Sequence, residues 1–125
     1  MEIRLTEVTI RDLVQEFKNN EELGVTAYGG KLDVRPAYQR EFIYKEKQQE
    51  AVIDSTYKNF PINVMFWLKR NDDHYEIMDG QQRTMSICLF VDGKFSYQGR
   101  YFKSSFTDQE QDDFLNYKFF EYLSF

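Results

Sequence analysis

The sequence predicts an α+β domain, and three observations carry that prediction. Apolar residues recur at helical spacing in two stretches, Ile10, Leu13, Val14, Phe17 and then Ile53, Tyr57, Phe60. Two β-prone runs, "INVMFWLKR" and "HYEIMD", flank the short polar "NDD", which is the pattern of an antiparallel hairpin. The uninterrupted apolar residues 85–91 are too apolar for a surface helix and stop at Asp92-Gly93, as a buried helix would.

Taken in order, Thr9 followed by Asp12 is a helix start, and the spacing predicts an amphipathic helix over residues 10–22. "GVTAYGGKLDV" places a Gly-Gly turn between two short β-prone runs, a small hairpin leading into "RPAYQREF". Pro36 has no backbone donor and biases Arg35 towards extended geometry, so that segment reads as loop or strand edge. A second helix is predicted over residues 45–59, closed by Pro61. "KFSYQGRYF" reads as another short hairpin, and Thr107 with Glu110 as the start of a short acidic helix. Periodicity leaves "YKFFEYLSF" open between helix and strand, while its dense aromatics favour strand.

A length of 125 residues allows one hydrophobic core, so residues 1–125 are read as a single domain. With 18% aromatic and 30% charged residues the chain is globular, not disordered. The formal net charge of -5 opposes non-specific binding to a nucleic-acid backbone, although Arg35, Arg40 and Arg83 facing one another would still make a local basic cleft. Cys88, the sole cysteine, permits no internal disulfide, and its apolar surroundings suit an inert core thiol. Charges at Glu2, Arg4, Glu7, Arg11 and Asp12 interrupt the start where a signal peptide would be apolar, and other apolar stretches are too short or too charged to span a bilayer. A cytoplasmic protein is expected, with no membrane partner. Ending on Phe125 without a polar tail, the chain reads as an N-terminal piece of a longer protein, and an aromatic last strand with a free edge would pair with a second copy as a homodimer.

The chemistry concentrates in "YEIMDGQQRTMSI". If a strand ends at Met78 and the buried helix begins near Gln81, the free amides of the first turn point at one spot with the positive end of the helix dipole behind them. Gly80 allows close approach to the backbone, Arg83 offers a planar fork for phosphate, and Gln81 and Gln82 add amide donors and acceptors. Asp79 is suited to hold Mg²⁺ or orient a water beside a phosphate. A purely structural reading is also open. Asp-Gly is a common turn pair, Asp79 serves as an N-cap, and Gln and Arg are good helix formers that face solvent. The Gln39-Arg40 pair in "YQRE" carries the same two readings.

Other candidates are weaker. No GxxxxGK[ST] loop is present, which removes a Walker-type NTPase. His74 is the only histidine and tips the "NDD" hairpin, where Asp72, Asp73 and Glu76 read as solvated charges. Trp67 alternates with its neighbours as a core residue of a strand does.

"RPAYQREF", then "AVIDSTYKNFPI", then "YEIMDGQQRTMSICLF" together resemble the N-terminal domain family of GmrSD-type, modification-dependent restriction proteins, grouped with ParB and sulfiredoxin-like folds. The resemblance runs from about Thr9 to the end. It implies a small ParB/sulfiredoxin-like core of mixed or antiparallel strands with three to four helices, which binds and hydrolyses nucleoside triphosphates with a divalent metal in restriction of phage. It also implies coupling to a C-terminal HNH-type nuclease region or subunit, through which DNA would be cut. Carried onto this sequence, the catalytic residues are Asp79, Gln82 and Arg83, the nucleotide-binding residues Gln39, Arg40, Gly80, Gln81 and Arg83, and the metal ligand Asp79, with Mg²⁺ and NTP as cofactors. The resemblance also makes "YKFFEYLSF" a strand. Two departures flank the first pair: Val34-Arg35-Pro36 replaces an Ile-Pro opening, and Tyr44 stands where Trp is common. The competing class is a non-catalytic DNA-binding or modification-sensing module; a metal-dependent nuclease in its own right ranks last, for want of ligands.

Overall fold

Strand pairing in this domain is built outwards from its last strand. The structure is a computed structural model describing residues 2–20, 24–35, 45–58, 64–70 and 73–124. The chain runs β1 (Ile3–Thr9), α1 (Ile10–Leu13), β2 (Lys18–Asn20), β3 (Gly24–Ala27), β4 (Leu32–Arg35), α2 (Glu46–Tyr57), β5 (Met65–Lys69), β6 (Tyr75–Asp79), α3 (Gln81–Val91), α4 (Phe102–Ser105), α5 (Asp108–Leu115) and β7 (Lys118–Ser124). The strands form one mixed sheet in the order β1-β7-β5-β6-β4-β3-β2. β7 is antiparallel to β1 and parallel to β5, so the strand latest in sequence is clamped between the earliest and a middle one.

The α+β class holds, with five helices among the described residues, two of them four residues long. Because β7 is paired on both sides, it offers no free edge to a second copy, contrary to the sequence reading; the outermost strands are β1 and β2. The hairpin around Gly29-Gly30 forms as β3 and β4, with Tyr28, Gly29 and Gly30 all at positive φ. The hairpin of "INVMFWLKR" and "HYEIMD" forms as β5 and β6. Thr107 caps α5 through its hydroxyl, with the Glu110 carboxylate returning to the Thr107 amide at 2.9 Å.

Two further expectations are corrected, and one unread segment gains an assignment. The helix over residues 10–22 is a single turn, Ile10–Leu13, although Thr9 does cap it. Glu16 turns the chain at φ 52, and Lys18–Asn20 pairs with β3 instead. The apolar spacing served packing all the same: Ile10 and Leu13 are buried, and Val14 and Phe17 pack against the core. Residues 3–9, unassigned in the sequence, are a strand. "KFSYQGRYF" makes only one antiparallel bridge, Tyr97 to Arg100, because Phe102 starts α4 and enters the core. The proposed boundary at Pro61 lies outside the described residues.

One face of the sheet is packed. Along β7, Phe119, Glu121 and Leu123 are buried while Lys118, Phe120 and Tyr122 are exposed. α3 is buried on all sides from Thr84 to Phe90, as a helix held between the sheet and a second helical layer must be. Phe90 is its anchor, with the rings of Phe95, Phe102, Phe106 and Phe114 at 5.5, 5.6, 6.0 and 5.5 Å. Among the described residues no helix is long and apolar enough to cross a membrane.

Removing the anchor opens a cavity that four neighbouring rings cannot fill. Phe90→Ala should cost about 3–5 kcal/mol, read as a lower urea midpoint with an unchanged denaturant slope.

Candidate functional site at the β6–α3 turn

β5 and β6 lose register just before the turn. Phe66 pairs with Asp79 and Trp67 with Ile77, so Met78 is an extra residue on β6 and its side chain is exposed. The bulge lets Asp79, on the last position of the strand, stand out in solvent with 74% of its side chain exposed. Gly80 then takes φ 103, ψ 13 and becomes the N-cap of α3. Only glycine fits there. The backbone lies so close to β5 that a Cβ would sit 2.8 Å from Met65 Cγ and 3.2 Å from an Arg83 Nη, in a left-handed conformation that other residues resist.

The first bond of the helix ladder is the Thr84 amide donating to Gly80 O at 3.0 Å. The amides of Gln81, Gln82 and Arg83 come before it, where a helix leaves donors outside its own ladder and carries partial positive charge. Arg83, on the third residue of α3, is mostly buried, its side chain 17% exposed. Its Nη2 donates to Val64 O at 3.5 Å and lies 3.9 Å from Asp79 Oδ2, both at the outer limit for such contacts. Its Nε is buried with no hydrogen-bond partner among the described residues. Next to it, the Thr84 hydroxyl is within 3.3 Å of Met65 Sδ.

Asp79, Gly80, Gln81, Gln82 and Arg83 thus meet in one strand-to-helix turn, as the sequence suggested. Gln39 and Arg40 lie outside the described residues. Among the described residues no three His, Cys, Asp or Glu side chains cluster as a metal site would. Cys88 is buried, and burial pushes its thiol well above the ordinary range, which suits an inert core thiol. His74 is exposed at the hairpin, and Trp67 is a core residue 1% exposed. Sequence reasoning missed Val64 and Met65, the acceptor and the floor of the turn, since only strand register brings them under Gly80. It also missed Glu121, although the alternation of "KFFEYLS" already puts it on the face of Phe119 and Leu123.

Fold and turn together define a small α+β domain that presents a carboxylate and a buried guanidinium at the mouth of an interior helix. The family model described as GmrSD restriction endonuclease, N-terminal domain, matches residues 10–124, and the chain belongs to that family. Its role is accordingly in a restriction nuclease system. No curated protein and no solved structure matches the chain.

Gly80→Ala forces both strained φ and a clash with Met65. A loss of about 2 kcal/mol is expected, measured as a fall of several degrees in the melting temperature.

Proposed function

We propose that the Gly80–Arg83 turn holds the phosphates of a nucleoside triphosphate and promotes hydrolysis of its terminal phosphoanhydride. The observation that carries this reading is the state of Arg83: a guanidinium held at a helix N-terminus with one donor lacking a partner and its other contacts at 3.5 and 3.9 Å. Such a group gains two short charge-assisted bonds when a phosphate arrives and gives up little.

In this reading the amides of Gly80 and Gln81 take phosphate oxygens, Arg83 bridges two of them, and Gln82 orients the attacking water. Gln39 and Arg40 belong to the same site as companions on the nucleotide. A divalent ion fits the donor set if it is Mg²⁺, which keeps several waters and needs only one or two carboxylates besides phosphate oxygens; Asp79, open to solvent, is the residue that would hold it. The ion's contribution is to neutralise charge on the phosphates. The residues supply the rest by position: fixed donors, a fixed water and little reorganisation. Cleavage of DNA falls to an HNH-type region or subunit coupled to this domain. A formal net charge of -5 counts against the domain itself gripping a DNA backbone.

Thermal melting with and without Mg²⁺ and a panel of NTPs tests the assignment. The wild type should gain about 2.7 kcal/mol of stability at a nucleotide concentration 100 times Kd. Arg83→Ala should keep the unliganded melting temperature and lose that gain. An unaltered response in Arg83→Ala removes the assignment, and a steep, salt-sensitive DNA affinity without any nucleotide effect replaces it with a DNA-binding module.

A further inference from the structure

Among the described residues Glu121 is the one buried acidic side chain, 5% exposed on the packed face of β7. Its Oε1 accepts from the Thr6 hydroxyl of β1 at 2.8 Å, and its Oε2 is buried with no hydrogen-bond partner among the described residues. On its two sides in register are Thr6 on β1 and Met65 on β5, and along its own strand Phe119 and Leu123 are buried with it. Among the described residues the other groups that face it are few. From β5 comes Trp67, two residues along; from the β3–β4 turn comes Tyr28, whose ring meets Trp67 at 5.3 Å and whose hydroxyl feels the charge of Glu121. Asp12 of α1 and Tyr75 of β6 act on the same Tyr28 hydroxyl. On β1 the neighbouring cation, Arg4, is engaged by Glu2 at 2.8 Å. None of these contacts gives the carboxylate a positive partner.

We propose that Glu121 is a proton-operated latch for β1, which stays docked while the carboxyl is protonated and is loosened from β7 when the carboxyl ionises. An ionised carboxylate in this setting has one neutral hydrogen bond and apolar walls, which is poor compensation for lost water. Water can reach it most cheaply by release of β1. Among the described strands β1 is an outermost one, paired with β7 alone, and it buries a single side chain, Val8. Inward, β5 and β7 are parallel neighbours locked into the core through Met65 and Trp67, so that side of Glu121 stays shut. Burial pushes the carboxyl up to about 7, with the Thr6 hydroxyl pulling it back. The sign follows: the docked state binds the proton more tightly than the released state, so docking is firmest below the ordinary 4.5, weakens as pH rises, and levels off once pH passes about 7.

Amide hydrogen exchange of residues 3–9, corrected for intrinsic rate and followed from pH 4.5 to 8.5, tests the latch in the purified chain. In the wild type the opening constant of β1 should rise about tenfold per pH unit up to about pH 7 and then flatten. Glu121→Gln, which keeps the shape and cannot ionise, should show a flat profile. Thr6→Val removes the hydrogen bond that the described residues give the charged form and should move the plateau to higher pH. A wild-type profile that is flat, or one that Glu121→Gln reproduces, overturns the proposal, as does a plateau unmoved by Thr6→Val. The readout involves no nucleotide, so it stands or falls apart from the reading of the β6–α3 turn.

Discussion

At the end of β6 the backbone passes over Met65 with no space for even a methyl group, and much of the domain's arrangement follows from that approach. Because Gly80 is pressed onto β5, α3 starts in contact with the sheet and cannot tilt away from it. Seven consecutive residues of that helix are then buried, and its far end delivers Phe90 into the ring cluster of the helical layer. The same approach sets the position of Arg83. One turn into a helix that hugs the sheet, its side chain has nowhere to extend except back along the turn, between the Val64 carbonyl and Asp79. A longer connection would have left the arginine free in solvent, where an exposed ion pair contributes little and donors are satisfied by water.

Buried polar atoms lacking partners are costly. Among the described residues they include Arg83 Nε at the turn, Trp67 Nε1 on β5, Glu121 Oε2 and the Ser124 hydroxyl on β7, and the Tyr57 hydroxyl on α2. Other polar groups of the helical layer are paired. Glu110 closes the cap of α5 and also receives Arg100, whose guanidinium covers the Phe106 ring at 4.1 Å. Asp54 accepts the Tyr97 hydroxyl and pairs with Lys58, which holds its carboxyl below the usual range. Of the unpartnered atoms, Arg83 Nε lies at the turn where chemistry is proposed, and its cost is the one that a ligand there would relieve.

What could be read from the sequence was whatever local chemistry decides. The Gly-Gly hairpin, the Thr107 and Glu110 cap, the buried helix and the strand-to-helix turn were all legible, because turn residues, caps and unbroken apolar runs act over a few positions. Misreadings came from tertiary pairing. Residues 10–17 carry a sound helical pattern, but a one-turn helix and a reversal at Glu16 bury the same side chains, and pairing with β3 satisfies the backbone of Lys18–Asn20. β1 was hidden differently. Its alternation is regular, yet Ile3 and Leu5 point to the open face at 54% and 56% exposure while Arg4 and Thr6 share the inward register with Val8. Hydrophobicity alone would have faced that strand the wrong way. For the turn, the residue types were visible in order, but the closeness of Arg83 to Val64 depends on a bulge at Met78 that no local signal announces.

A protein of net charge -5 is an unpromising host for a triphosphate, and the geometry of the turn bears on how that difficulty is met. At physiological ionic strength the screening length is about 8 Å, so carboxylates across the domain act weakly on a ligand at Gly80. Local charge decides. The carboxylate beside Gly80 is Asp79, turned to solvent, 3.9 Å from Arg83 and too exposed to neutralise that guanidinium as a buried partner would. An arginine with a tight carboxylate partner would have to break that bond before taking a phosphate, and the exchange would return little. One held loosely by a carbonyl and a distant carboxylate keeps its full charge at the helix mouth. Asp79 then adds its own repulsion towards phosphate, which a divalent cation between the two would reverse. The proposed site is therefore one in which nucleotide and metal each need the other, and this coupling follows from where a single carboxylate has been left exposed.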